Sequence, residues 1–177
     1  MRPLLLSLAF ACTFATTGLY AQQLSTAVGV RFGSPTSLSV KAFITDESAV
    51  EVFAGIRPYV LQPYSYTAVG GAYLYHFGLD ELGADLDDFS VYVGAGASAQ
   101  FWRYDDEFFD TRLRRDFNDF GLRIGAYVGG QYVFPDTPLE LTVDVSPSLV
   151  LGSVFLNGLR AGYYTLGARY IIGRRRG

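Results

Sequence analysis

Cysteine is nearly missing from this chain: the single copy, Cys12, lies in an apolar N-terminal stretch, so the remainder holds no thiol. Disulfides and cysteine-based metal sites are thereby excluded from the folded body. Lysine is just as scarce, with Lys41 the one copy. Soluble domains keep their surfaces dispersed with many Lys and Glu side chains, and this composition does not supply them. One histidine, His76, leaves little material for His-based chemistry. Beyond the N-terminal stretch no apolar run approaches the roughly 20 residues of a membrane-spanning helix. A net charge of −3 gives no basic field for nucleic acid.

Arg2, the apolar run Leu4 to Ala15 and the small-residue site Leu19-Tyr20-Ala21 stand in the order of a secretory signal peptide, with cleavage expected before Gln22. The expected division is a signal peptide over residues 1–21 and one exported domain over residues 22–177. Subtracting 21 from 177 leaves 156 residues, enough for a single core. A lipoprotein role for Cys12 is disfavoured, because Ala9-Phe10-Ala11 lacks the usual leucine three places before it. The basic tail Arg174, Arg175 and Arg176 reads as a solvated end that touches anionic headgroups at most.

What is present is hydrophobicity spread by alternation. Half the chain is hydrophobic and 16% is aromatic, although no long apolar helix is encoded. In LELTVDVSPSLVL, Leu139 to Leu151, the odd positions are apolar and the even positions are polar apart from Val150. That period of two belongs to a β-strand, and its length exceeds the roughly 9–11 residues that cross a bilayer at a tilt. The same pattern predicts strands over Ser25 to Phe32, Leu38 to Ile44, Ala49 to Tyr59, Tyr64 to Phe77, Phe89 to Trp102, Asp119 to Phe134 and Leu159 to Ile172. Only the fourth is ambiguous, since Tyr73 and Tyr75 alternate with Ala72, Leu74 and His76. Eight alternating segments with short links predict an all-β fold, an eight-stranded up-and-down antiparallel barrel.

Alternation alone does not say which face is outside, because a soluble lipocalin-like binding protein shows the same period with its faces reversed. Composition favours the membrane arrangement. The polar faces carry Gly, Ser, Thr and Tyr with isolated charges, too sparse for a water-facing surface but suited to a narrow lumen. The predicted inward charges are Arg31, Lys41, Glu51, Arg57, Arg123, Glu140, Asp144 and Arg169, which are expected to interlock as ion pairs. Glu140 and Asp144 are expected to reach arginines such as Arg123 and Arg169. Phe32, Tyr59, Tyr64, Phe77, Phe89, Phe101, Trp102, Phe120, Tyr132, Phe134 and Tyr170, near strand ends, are placed in interfacial girdles. Pro147 has no N–H to give the ladder, so a bulge or skipped bond is expected there.

The segments GVRFGSPTSLSVKAF, VYVGAGASAQF, PLELTVDVSPSLVL and LGARYIIG resemble the first hairpin, fifth strand and closing strands of the small eight-stranded outer-membrane β-barrel domains of Gram-negative bacteria. The resemblance spans essentially all of residues 22–177. It implies export, insertion into the bacterial outer membrane by the barrel-assembly machinery, and no defined reaction. The last strand departs from the family pattern, ending in Ile172 rather than an aromatic residue.

For chemistry, the residues offer little. His76 falls at the end of a strand descending to the periplasmic side and is read as an interfacial residue, remote from the outer leaflet where a lipid A enzyme would work. Asp80, Glu81, Asp85, Asp87 and Asp88 form an acidic link without calcium-loop spacing, read as a solvated turn. The link Arg103 to Asn118 is expected outside the cell. There Phe108, Phe109, Arg112, Arg114 and Arg115 are candidates for contact with a partner or lipopolysaccharide, with a self-paired, partly mobile surface loop as the equal alternative. The expected protein is a non-enzymatic, structural or surface-interaction barrel, monomeric, without cofactor or metal and with a filled lumen. The soluble binding protein and a narrow outer-membrane pore are its alternatives.

Overall fold

The computed structural model describes residues 25–57, 64–78, 88–104, 118–152 and 158–173. The expected signal peptide, most of the acidic link, the tail arginines, and Phe108, Phe109, Arg112, Arg114 and Arg115 lie outside the described residues. Eight strands are present: β1 (Thr26–Gly33), β2 (Thr36–Phe43), β3 (Ser48–Arg57), β4 (Tyr64–Gly78), β5 (Phe89–Tyr104), β6 (Asn118–Val133), β7 (Leu139–Leu151) and β8 (Gly158–Ile171). Each pairs antiparallel with its successor, and β8 returns to β1, closing a barrel. Closure pairs the edges that an open sheet would leave unsatisfied, which is the condition for a sheet to cross lipid. In the closing seam Val28 lies opposite Tyr170 and Gly29 opposite Arg169.

The two faces are inverted relative to a soluble protein. Leu38 is 69% exposed and Val143 59%, and Val52, Ile56, Val69, Ile124, Val128 and Leu166 join them on the outside. Lys41, by contrast, is only 1% exposed, and Arg31, Glu51, Glu140, Asp144 and Arg169 are buried with it. A soluble lipocalin-like barrel requires the opposite facing. Exposed aromatics mark both rims: Phe32, Phe101 and Phe120 at one end, Tyr132 and Tyr170 at the other, with the Phe101 and Phe120 rings 5.5 Å apart.

Strand β4 resolves its ambiguity by turning Tyr66, Ala68, Ala72, Leu74 and His76 inward and Val69 and Tyr73 outward. His76 is therefore a lumen residue and not the interfacial one expected from its position at the strand end. Trp102 likewise departs from the expected girdle and is buried inside. Both obey strand parity, for Trp102 shares the face of Ser98 and Gln100. Alternation outweighs nearness to the rim.

The irregularity at Pro147 falls on both neighbours of β7. Toward β6, pairing stops at Gly125–Ser148 and resumes at Val128–Val145. Toward β8, Ser146 faces Tyr163 while Ser148 faces Arg160, so two steps on β7 match three on β8. The extra residue of the bulge therefore comes from β8. The register toward β6 is the same on both sides of the gap and shifts only toward β8, and the missing N–H of Pro147 accounts for a lost bond toward one neighbour alone.

If the exposed face meets hydrocarbon, Val52→Arg in the middle of β3 destabilises the barrel by about 2–4 kcal/mol in lipid vesicles, read from urea unfolding. On a water-facing surface the same change stays within roughly 0.5 kcal/mol.

Candidate functional site

Inward positions of β1, β2, β3, β7 and β8 converge on one row of charges. Lys41 Nζ pairs with Glu140 Oε1 at 2.7 Å, and the same Glu140 oxygen takes Arg169 Nη1 at 3.1 Å. Arg169 Nη2 pairs in turn with Glu51 Oε1, which Arg31 Nη1 approaches at 3.5 Å. Arg31 Nη2 then meets Asp144 Oδ1 at 3.3 Å. The order Lys41, Glu140, Arg169, Glu51, Arg31, Asp144 alternates in sign at every step. Three cations meet three carboxylates, so the row is formally neutral.

Neutral donors and acceptors complete it. Lys41 Nζ donates to Gln131 Oε1 at 2.7 Å, Arg169 Nε to Ser39 Oγ at 2.9 Å, and Arg169 Nη1 to Thr142 Oγ1 at 3.0 Å. Tyr92 OH donates to Asp144 Oδ2 at 3.1 Å. The Arg31 guanidinium lies 5.1 Å from the Phe53 ring centroid, within cation–π range. These contacts make the buried charge tolerable, because an ion pair repays its desolvation only when its remaining lone pairs and protons are used; Arg31 Nε is the member of the row left buried without a partner.

Of the eight charges expected to interlock, six form this row. Arg123 is buried apart from it, donating to Ser146 Oγ and stacking 4.3 Å from the Tyr163 ring centroid. Asp144 accordingly reaches Arg31 and not Arg123. The register explains this: Arg123 sits opposite Ser98 and Val150, nearer the far end, while Asp144 sits opposite Gly129. Arg57 is half-buried near the far end of β3 and takes no part in these five pairs.

Aromatic groups close the lumen on either side of the row. At the end where β1 begins and β8 finishes, His76 lies between Phe43, with centroids 4.8 Å apart, and Tyr92, at 5.1 Å. At the far end Tyr66 and Trp102 pack at 4.3 Å, and the Tyr66 hydroxyl is 3.0 Å from Ser34 Oγ. Room for this filling comes from missing side chains. A Cβ on Gly129 would fall 2.6 Å from the Tyr92 ring, and one on Gly29 would fall 2.0 Å from the Ala168 carbonyl oxygen beside Arg169. Gln131, Ser39, Thr142 and Tyr92 were not among the expected network members. Their parity, shared with the charges on each strand, is the signal that identifies them.

No protein-family model matches the sequence, and no curated protein matches it. Among solved structures it is similar to the N-terminal β-barrel domain of Pseudomonas aeruginosa OprF, at 17% identity and TM-score 0.54, over 84% of this chain and 96% of that one. It is similar also to Neisserial surface protein A, NspA, at 15% identity and TM-score 0.58, over 83% of this chain and 93% of that one. Those structures are small eight-stranded outer-membrane barrels, and this chain has their fold.

Arg169 serves two carboxylates and Lys41 one. Arg169→Met is therefore expected to cost about 3–5 kcal/mol, the penalty for leaving buried charge unpaired, and more than Lys41→Met. Unfolding midpoints of the two variants in lipid vesicles test the order.

Proposed function

We propose that this protein spans the bacterial outer membrane as a monomeric, non-enzymatic barrel with a structural or surface-interaction role. The observation that carries the reading is the inversion of its faces, an apolar exterior around a row of mutually neutralised charges. Hydrocarbon suits the apolar exterior, while the inward charges, walled off from it, are satisfied by one another. The fold shared with NspA, a protein named for the cell surface, supports the same reading. Insertion would follow the barrel-assembly route that outer-membrane barrels use.

A narrow pore is the second reading, motivated by the polar lumen. The aromatic pairs at both ends and the ion pairs between them disfavour a continuous water path. Purified protein in planar bilayers is expected to give no conductance steps above background. Regular steps would establish the pore instead.

For the surface role, the link between β5 and β6 supplies Phe108 and Phe109 beside Arg112, Arg114 and Arg115. Guanidinium groups match phosphate geometry, and flanking rings bring apolar contact, a combination suited to lipopolysaccharide. Fractionation should recover the protein in the outer membrane, with heat-modifiable migration in detergent. Protease added to intact cells should cut within residues 103–118. Replacing Phe108 to Arg115 with Gly and Ser should weaken lipopolysaccharide binding while leaving heat-modifiability intact. Recovery in the soluble periplasmic fraction would overturn the membrane placement.

A further inference from the structure

The apolar exterior is not of even height. Strand β1 ends at Gly33 and the chain reverses through Ser34 and Pro35 into β2, whereas β6 keeps exposed apolar residues up to Phe120 and β7 up to Leu151. At a strand tilt of about 40° each residue climbs roughly 2.5 Å along the barrel axis, and each step across the ladder roughly 3 Å. The direction of the second climb follows from closure. A circuit of paired residues leaving Gly29 through β2 reaches β8 at Gly158, while Gly29's partner across the seam is Arg169, far below. Steps taken from β1 through the seam to β8, β7 and β6 therefore descend.

Gly33 pairs with Thr165, Thr165 with Asp144, and Asp144 with Gly129. These steps descend about 9 Å in all, so the level of Gly33 on β6 is near Gly125, and Phe120 stands about 12 Å above it. The opposite rim is level. Leu139 pairs with Tyr170 and Tyr170 with Val28, a climb of about 6 Å that the drop along β1 from Val28 to Thr26 all but cancels. From Thr26 to Gly33 the outer surface is roughly 17 Å tall, and from Tyr132 to Phe120 roughly 30 Å, against about 25 Å for the apolar band of an outer-membrane barrel.

A chain reversal cannot satisfy all its backbone groups by itself, so the Ser34–Pro35 turn must meet water or headgroups. Phe120, Leu122 and Leu151, exposed well above it, need hydrocarbon. We propose that the lipid leaflet on the side of this turn is thinned against β1 and β2, its hydrocarbon surface dropping to Ser34 and Pro35 while standing at full height against β6 and β7. A short apolar face draws the bilayer toward it in this way. Tilting the whole barrel is not an equivalent solution, because the level rim would then be lifted on one side. The thinning presupposes the membrane placement proposed above.

Thr36 faces outward at the level of Gly33, and Ile124 faces outward slightly higher. In a leaflet of even thickness a nitroxide on Ile124→Cys thus sits nearer to water than one on Thr36→Cys, and thinning reverses that order. Cys12→Ser makes each label unique. In phosphatidylcholine vesicles with palmitoyl and oleoyl chains, the ratio of nickel–EDDA to oxygen accessibility should be higher at Thr36 than at Ile124. Labels on Thr26→Cys and Leu139→Cys should lie at equal depth. A ratio at Thr36 equal to or below that at Ile124 would overturn the proposal, as would unequal depths at Thr26 and Leu139, the mark of a tilted barrel. A label on Val143→Cys, in the middle of β7, separates the two readings. Its shielding from nickel upholds the membrane placement even where thinning fails, and free access of nickel there removes both.

Discussion

The alternating row from Lys41 to Asp144 is the constraint on which the rest of the lumen is arranged. Charges in a space nearly closed to bulk water interact strongly, and each is costly without a neighbour of opposite sign. A row that changes sign at every step gives each interior member two favourable contacts and no adjacent repulsion. Only the two ends of the row, Lys41 and Asp144, have a single ionic partner there. Those are the residues to which Gln131 and Tyr92 add uncharged hydrogen bonds.

The row dictates what its surroundings must be. Five strands contribute charges, so the opposite wall must be small or aromatic if the side chains are to fit. Gly129 opens the space that Tyr92 fills on the way to Asp144, and Gly29 lets β8 approach where Arg169 enters. Outside, every position between these inward residues is free to be apolar. The exterior band and the buried charges are thus two products of one period-two pattern, and a shift of one residue in any strand would exchange them.

That pattern makes most of the fold legible in the sequence. Leu139 to Leu151 matches β7 at both ends, and seven strands had the facing that their alternation implied. The charges of the row were legible by parity as well. Their partners were not, because parity says that a side chain points inward but not how far along the axis it sits. Asp144 and Arg123 share the lumen, yet register puts them on different levels. His76 and Trp102 were misread for a different reason: nearness to a strand end suggested the rim, whereas the pleat turned both rings inward. In β4, aromatic and small residues occur on both faces, so hydrophobicity carried no directional information.

The placement of the row bears on how the barrel closes. Strands β1 and β8 are the most distant in sequence, so their seam is the pairing with the greatest loop-closure entropy to overcome. The row runs through β2, β7, β8, β3, β1 and β7 in turn, crossing that seam repeatedly. In an open sheet Arg169 would lose Glu51, which lies beyond the seam on β3, while keeping Glu140 on the adjacent β7. Arg31 would likewise lose Asp144. An opened seam therefore strands charge of both signs in the same interior, and the cost appears only once the last ladder is broken. Electrostatic pairing thus adds cooperativity where backbone pairing is least local, which fits the concentration of charges on the strands flanking the seam rather than on β4 and β5.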